Sequence, residues 1–234
     1  PTAVLTYVAG WWSWFTHSGA YLRNWAADNP GEGVSWLPES LRSLWEYHTR
    51  MWEFHTTLTS HHDYASPAWE WLLMLRPTSY FYDSEVSCGA DECSQAVTSL
   101  GNPVLWWGGI VALIICFVWW LWWNDGRAGM LLMGVAAGLL PWLMHGSRTV
   151  FMFYAVVFAP FLALAISYAV SLLRESPPGL AARAQISRRV QGHTVLAAVC
   201  AVAVALAVFF YPVWTAQEIP YDAWRMRMWF SNWI

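Results

Sequence analysis

Four of the chain's seven histidines fall within fifteen residues, at His48, His55, His61 and His62. Imidazole can ligate a metal, move a proton or donate to a phosphate, so several chemistries are open to this stretch. His48 and His55 are seven apart, which on a helix is about 10.5 Å of rise, too far for one ion without ligands from elsewhere. The plainer reading is a set of interfacial histidines with hydrogen bonds of their own; the third is contact with a phosphate or sugar. Tyr64, Trp69 and Trp71 offer flat faces for a sugar ring, yet in a chain with twenty tryptophans they serve equally as interfacial anchors. Arg148 stands alone between two apolar runs. It is either a topological anchor or a clamp that grips a lipid phosphate with two hydrogen bonds. Arg76, in Leu75-Arg76-Pro77, is a second candidate of that kind. Cys88 and Cys93, spaced C-x4-C, read as a small disulfide in an oxidising compartment. The rival is a pair of metal ligands, but no second close pair completes a zinc set. Asp91-Glu92 sits inside that turn among Ser and Gly, where a solvated loop is the natural reading.

The elements that position these residues are membrane spans. The chain is 57% hydrophobic and only 12% charged, against about a quarter charged in ordinary soluble domains. It contains no lysine, and no basic tract points to nucleic acid. A bilayer core takes about 20 apolar residues as helix. Residues 104–123, 128–144, 150–173 and 194–213 qualify, and 1–16 reads as the end of a fifth span. The chain begins inside that run, which suggests the C-terminal piece of a longer protein. No span carries the buried acids of a transporter.

Arginine sets the orientation. Residues 174–193 hold Arg174, Arg183, Arg188 and Arg189 against Glu175, whereas 17–103 holds four arginines against eleven acids. The positive-inside rule places 174–193 in the cytoplasm. The loop 17–103, the turn 145–149 and the Trp-rich tail 214–234 then lie outside. Within the loop, Leu41, Leu44, Trp45, His48, Met51, Trp52 and His55 recur at helical spacing. An amphipathic interfacial helix over about 37–59 is expected. Glu39, Arg42, Glu46, Arg50 and Glu53 form its polar face, with Arg42–Glu46 and Glu46–Arg50 as i,i+4 pairs.

The run Tyr47-His48, Met51, Phe54-His55, then His62-x-Tyr64-x-Ser66-x-x-Trp69-x-Trp71 and Arg76-Pro77 resembles the protein O-mannosyltransferases. The family's central pattern is H-P-Y-x-S-x-P-W-x-W-P. This chain keeps His62, Tyr64, Ser66, Trp69 and Trp71 and departs at Asp63, Ala68 and Leu72. The C-x4-C turn, Arg148-x-x-Phe151-x-Phe153-Tyr154 and the ending Arg227-Met228-Trp229-Phe230-x-x-Trp233 are similar to the bacterial branch. On that ending the chain looks like a true C-terminus. The resemblance implies an all-α integral membrane protein of the GT-C type, of which this chain supplies about five transmembrane helices plus external interfacial helices.

It also implies a function: transfer of mannose from polyprenyl-phosphate-mannose to Ser or Thr of a secreted acceptor protein, at the outer face of the plasma membrane. The family's catalytic Asp-Glu pair belongs to the first external loop, in the N-terminal half that this chain would need as a partner. Asp91-Glu92 lies in a different loop. No residue here is then a catalytic base, and the chain alone is expected to be inactive. His48, His55, His61, His62, Tyr64, Ser66, Trp69, Trp71, Arg76 and Arg148 become candidates for the wall of a donor or acceptor pocket. No metal or cofactor is called for. Two other functions fit the same resemblance less directly: a lipid-phosphate-sugar transferase acting on a glycan or lipid, and a non-catalytic membrane subunit.

Overall fold

A computed structural model describes residues 2–146, 148–175 and 182–234, apart from the side chains of 182 and 183. The linker called cytoplasmic, 174–193, has its central residues 176–181 outside that set, and the turn 145–149 has one, Ser147. The chain divides into two compact units, Pro1–Thr59 and Ser60–Ile234.

The first unit holds α1 (Thr2–Gly10), α2 (Trp12–Thr16), α3 (Trp25–Asp28) and α4 (Glu39–Thr57). The end of the expected first span is therefore two short helices rather than one. On α4, Trp45 and Trp52 stand exposed on the face expected to be apolar, and Phe54, also exposed, lies half a turn away from them. One expectation for its polar face fails. Arg42 is buried, and its guanidinium donates to the Ala26 and Asn29 carbonyls. The Ala26 carbonyl has no other donor among the described residues, whereas that of Asn29 also accepts from the Glu32 amide, and satisfying a buried carbonyl outweighs a solvated i,i+4 pair. Glu46 pairs instead with Arg50 at 2.8 Å. Next to Arg42, the Ser43 hydroxyl accepts from the Ala26 amide at 3.0 Å.

The second unit begins with a loop and α5 (Ala68–Trp71). Next come β1 (Ser79–Asp83) and β2 (Cys93–Thr98), antiparallel, with Asp83 opposite Gln95 and a bulge between Ser79 and Phe81. Far along the chain, β3 (Ile219–Pro220) adds to the other edge of β2. This small sheet is an addition to a helical membrane fold, and no alternation of apolar and polar residues announced it. Cys88 and Cys93 are joined across the turn that leads into β2.

Among the described residues, three helices are long and apolar enough to cross a membrane: α6 (Pro103–Trp123), α7 (Gly126–Leu143) and α9 (Ala182–Trp214). Asn102 caps α6 by accepting from the Val104 amide, with Pro103 in the first turn, and Asn124 ends it at φ +50°. Only 6% of the most apolar stretch of α9 is buried inside the protein. Its exposed Val202, Val204 and Val208 are a surface suited to lipid, not water. The fourth expected span, 150–173, is shorter as a helix: a 3-10 turn over Met152–Val157 precedes α8 (Ala159–Arg174). Pro160, in the first turn of α8, has no amide to continue a helix backwards. The Phe151–Tyr154 run before it is used for side-chain packing instead. α6 and α8 pack closely because Gly109 has no side chain; a Cβ there would lie 2.9 Å from that of Leu162.

The two ends of this bundle differ. One carries the sheet, α5 and the last segment, α10 (Tyr221–Arg227) onward. The other carries a polar knot in which Asp125 caps α7 and accepts from Arg127 and from the Tyr168 hydroxyl. Arg127 also reaches Glu175 at 3.4 Å.

Candidate functional site

The candidate residues fall in both units. In the first, His48 is committed. Its Nδ1 lies 2.6 Å from the Leu44 carbonyl, which can only accept, so Nδ1 carries the proton. Its Nε2 is then the acceptor for the Tyr7 hydroxyl at 2.5 Å. Both ring nitrogens are used, and the ring packs against Trp11, so the interfacial hydrogen-bonded reading describes His48. His55 lies a further two turns on, edge-on to Phe54 at 5.4 Å. Both line a shallow apolar groove with Trp45, Met51 and Trp52.

In the second unit, the motif stretch is fastened to the turn around Arg148. Ser66 is the junction. Its amide donates to the Val150 carbonyl at 2.8 Å, its hydroxyl donates to Glu70 at 3.1 Å, and its carbonyl accepts from the Trp71 indole at 2.8 Å. Ser66 is 1% exposed, so each bond counts as the satisfaction of a buried group. Trp71 is fully buried against Trp142 and Tyr154, each 6.0 Å away between ring centres. Those two rings are stacked at 4.7 Å and 7°. Arg148, also buried, lies over both, 4.9 Å from the centre of Trp142 and 5.7 Å from that of Tyr154. A guanidinium so placed is held against this ring pair by cation–π attraction. Thr149 donates to the Ser60 carbonyl, and His62 meets the Phe151 ring edge-on at 5.0 Å. His62 also accepts from the Tyr64 amide through Nδ1 at 3.1 Å, which leaves the proton of the neutral ring on Nε2.

The chain after α5 has a backbone that no helix or strand satisfies. Met74 sits at φ +58° and is buried. Its neighbours' carbonyls are met by side chains from far away. Trp106 donates to Trp71, Trp107 to Leu73, Trp233 to Met74 and Asn232 to Leu75. An indole suits this work, since it brings one N–H inside a large apolar body. Arg76 is engaged in the same way. It donates to the Asp63 carbonyl and to the backbone oxygens of Asn232 and Ile234, with its guanidinium 4.8 Å over the Tyr64 ring. It pins the tail to the motif.

Thus His62, Tyr64, Ser66, Trp71 and Arg148 are members of one network, with Arg76 at its margin. Two candidates stand apart from that packing. His61 is almost wholly exposed and faces Asp63 at 3.3 Å. Trp69 is 57% exposed. Sequence reasoning passed over Glu70 and Trp142. The i,i+4 spacing of Ser66 and Glu70 was the available signal for the first; nothing local marks Trp142.

The fold defines a multi-pass membrane protein with a structured polar region at one end of its helices. A family model described as the C-terminal four TMM region of protein-O-mannosyltransferase matches residues 40–233. The chain is 32% identical, over its whole length, to a polyprenol-phosphate-mannose–protein mannosyltransferase of Mycolicibacterium smegmatis, and covers 45% of that protein. The like-named protein of Mycobacterium tuberculosis is 31% identical over the same shares of each chain. A solved structure of the Saccharomyces cerevisiae protein O-mannosyltransferase Pmt1-Pmt2 complex bound to the sugar donor matches 86% of this chain and 28% of its own, with TM-score 0.64 at 22% identity. The chain belongs to the protein O-mannosyltransferase family, in its C-terminal region. It spans somewhat under half the length of the curated relatives it matches.

Proposed function

We propose that this chain is the C-terminal membrane part of a glycosyltransferase that moves mannose from polyprenyl-phosphate-mannose to Ser or Thr of a secreted protein. The observation that carries the reading is the match, over the whole chain, to relatives named for that donor and for a protein acceptor. The polar end of the bundle faces the outside of the plasma membrane in this reading, with loop 17–103 and tail 214–234 there. The arginines of 174–193 remain in the cytoplasm, which agrees with the positive-inside rule.

In the reaction the acceptor hydroxyl oxygen attacks the anomeric carbon, and the bond from that carbon to the phosphate oxygen breaks. The hydroxyl proton passes to a carboxylate outside this chain, in the N-terminal half of the enzyme. The lipid phosphate leaves with the bonding electrons and needs donors around it. Arg148 is suited to that task, because its charge is fixed and its guanidinium is positioned by contact with Trp142 and Tyr154. His62 carries a proton on Nε2 and is a second donor, while Ser66, Trp71 and Arg76 hold the loop in shape. Tyr64 and Trp69 supply aromatic faces for the sugar or the acceptor.

The test is transfer of radiolabelled mannose by the full-length enzyme in membranes, with a Ser/Thr peptide and a mannan oligosaccharide offered separately. Label on the peptide supports the reading. Label on the oligosaccharide alone would make the protein a glycan-directed transferase, and label on neither would leave a non-catalytic subunit.

A further inference from the structure

A cavity of about 300 Å³ lies between the β-sheet and the C-terminal segment, and the mechanism above makes no use of it. Its lining has the composition of a sugar site. Trp224 supplies a large buried aromatic body, with the Tyr82 ring 5.0 Å and the Tyr221 ring 5.5 Å from it. Hydroxyls come from Ser79, Thr98, Tyr64 and the two tyrosines. Among the described residues, no Arg, His, Asp or Glu side chain lines it. Arg76, which borders the cavity at Tyr64, is outside its lining and already donates to the Asp63, Asn232 and Ile234 oxygens, so the donor's phosphate is the poorer ligand. A neutral polyol is the right one: its C–H faces rest on aromatic rings and its hydroxyls exchange hydrogen bonds with hydroxyls. The size lies at the small end of the range for ligand pockets, roughly 300–1,000 Å³, which suits a monosaccharide.

Position adds to composition. Tyr64 lines the cavity and also lies between His62 and Ser66 of the motif network. Arg76 covers its ring and ties it to the tail. The cavity is therefore joined by one residue to the region assigned to transfer. We propose that it is a subsite for a neutral hexose, and that it holds a mannose already attached to the acceptor polypeptide, so that a glycosylated stretch is retained for further modification. The second clause rests on the transferase reading; the first does not.

The experiment uses the full-length membrane protein in lipid nanodiscs. Saturation-transfer NMR with methyl α-D-mannopyranoside, without donor, reads the cavity alone. Binding is expected in the wild type. Thr98→Val removes a buried hydroxyl with little change of shape, and Tyr221→Ala removes a half-exposed ring; each should weaken binding roughly five- to ten-fold, as the loss of one neutral hydrogen bond or ring contact does. Circular dichroism checks that each variant is folded, and the two lie on different elements, Thr98 on β2 and Tyr221 on α10. No signal in the wild type, or equal signal in both folded variants, overturns the subsite. A second arm compares the KM for a Ser/Thr peptide bearing one mannose with that for the bare peptide. The mannosylated peptide should have the lower KM, and Tyr221→Ala should bring the ratio to about one. Equal KM values in the wild type overturn the acceptor-linked part. Glycoside binding without any transfer to peptide keeps the subsite and overturns the transferase reading instead.

Discussion

Replacing Arg148 by Lys separates a charge that anchors from a plane that clamps. Both side chains are cations, so an anchor that needs only charge should tolerate the change. Arg148 is buried over the stacked rings of Trp142 and Tyr154. An ammonium keeps part of the cation–π attraction but lacks the broad planar contact surface of a guanidinium, and the loss of stability should be about 1 kcal/mol. On the clamp reading, lysine would also lose one arm of a two-pronged grip on phosphate. A hydrogen bond between charged groups contributes about 1.5–3 kcal/mol, so transfer should slow roughly 10- to 150-fold. Arg148→Ala removes both arms and the ring contact, and should slow transfer further. The assay is mannosyl transfer by the full-length enzyme at saturating peptide, with thermal denaturation of the same preparations. Turnover in Arg148→Lys equal to wild type would refute the clamp. A loss of turnover that simply tracks the loss of melting temperature across the two variants would refute it as well.

Trp71→Ala should be the most damaging single change in the motif. It empties a fully buried site, at about 3–5 kcal/mol, and strips the Ser66 carbonyl of its donor, so a large fall in melting temperature is expected; Trp71→Phe should cost only about 1–3 kcal/mol for the orphaned carbonyl. Arg76→Ala should release the last residues, since it removes hydrogen bonds to the oxygens of Asn232 and Ile234; hydrogen exchange over 228–234 should rise while that of α6 stays slow. Asp125 titrates below the ordinary carboxylate range, held there first by its hydrogen bonds with Arg127 and then by that of Tyr168, against the opposing effect of burial. A carboxyl lowered on folding stabilises above its unfolded value, about pH 4, and loses that contribution as pH falls through the folded value. The melting-temperature gap between wild type and Asp125→Asn should therefore be constant near neutrality and close below about pH 4.

The helices were legible wherever one face or one run of residues speaks for itself. Pro103–Trp123 is bounded by its own Asn102 cap and by Asn124, and the repeat of α4 shows in its apolar residues. Arg42 shows where such reading stops. By spacing it belongs to the solvated face of α4, but two carbonyls at the end of α3, those of Ala26 and Asn29, take the donors of a buried arginine. The run 150–158 is apolar enough for a span, and Pro160 with the aromatic packing of Phe151–Tyr154 turns it into something else. The sheet was invisible because β3 has two residues and its partner is more than a hundred positions away. Of the site, the motif identified the participants around His62–Trp71; their division into exposed and buried members was beyond it.

What the amino-acid sequence determined by itself is what depends on sums over neighbours: the length of apolar runs, and so the membrane; the excess of arginine in 174–193; the spacing of His62, Tyr64, Ser66, Trp69 and Trp71. Tertiary structure decided which polar group answers which. The carbonyls of Trp71, Leu73, Met74 and Leu75 are met by Trp106, Trp107, Trp233 and Asn232, across separations of 34 to 159 residues. A buried carbonyl must find a donor, but it accepts one from wherever packing brings it. Local pattern has no term for that choice, which is why Arg148, isolated between apolar runs in the sequence, meets its aromatic partners only where Trp142 and Tyr154, one before and one after its turn, stack on each other beside it.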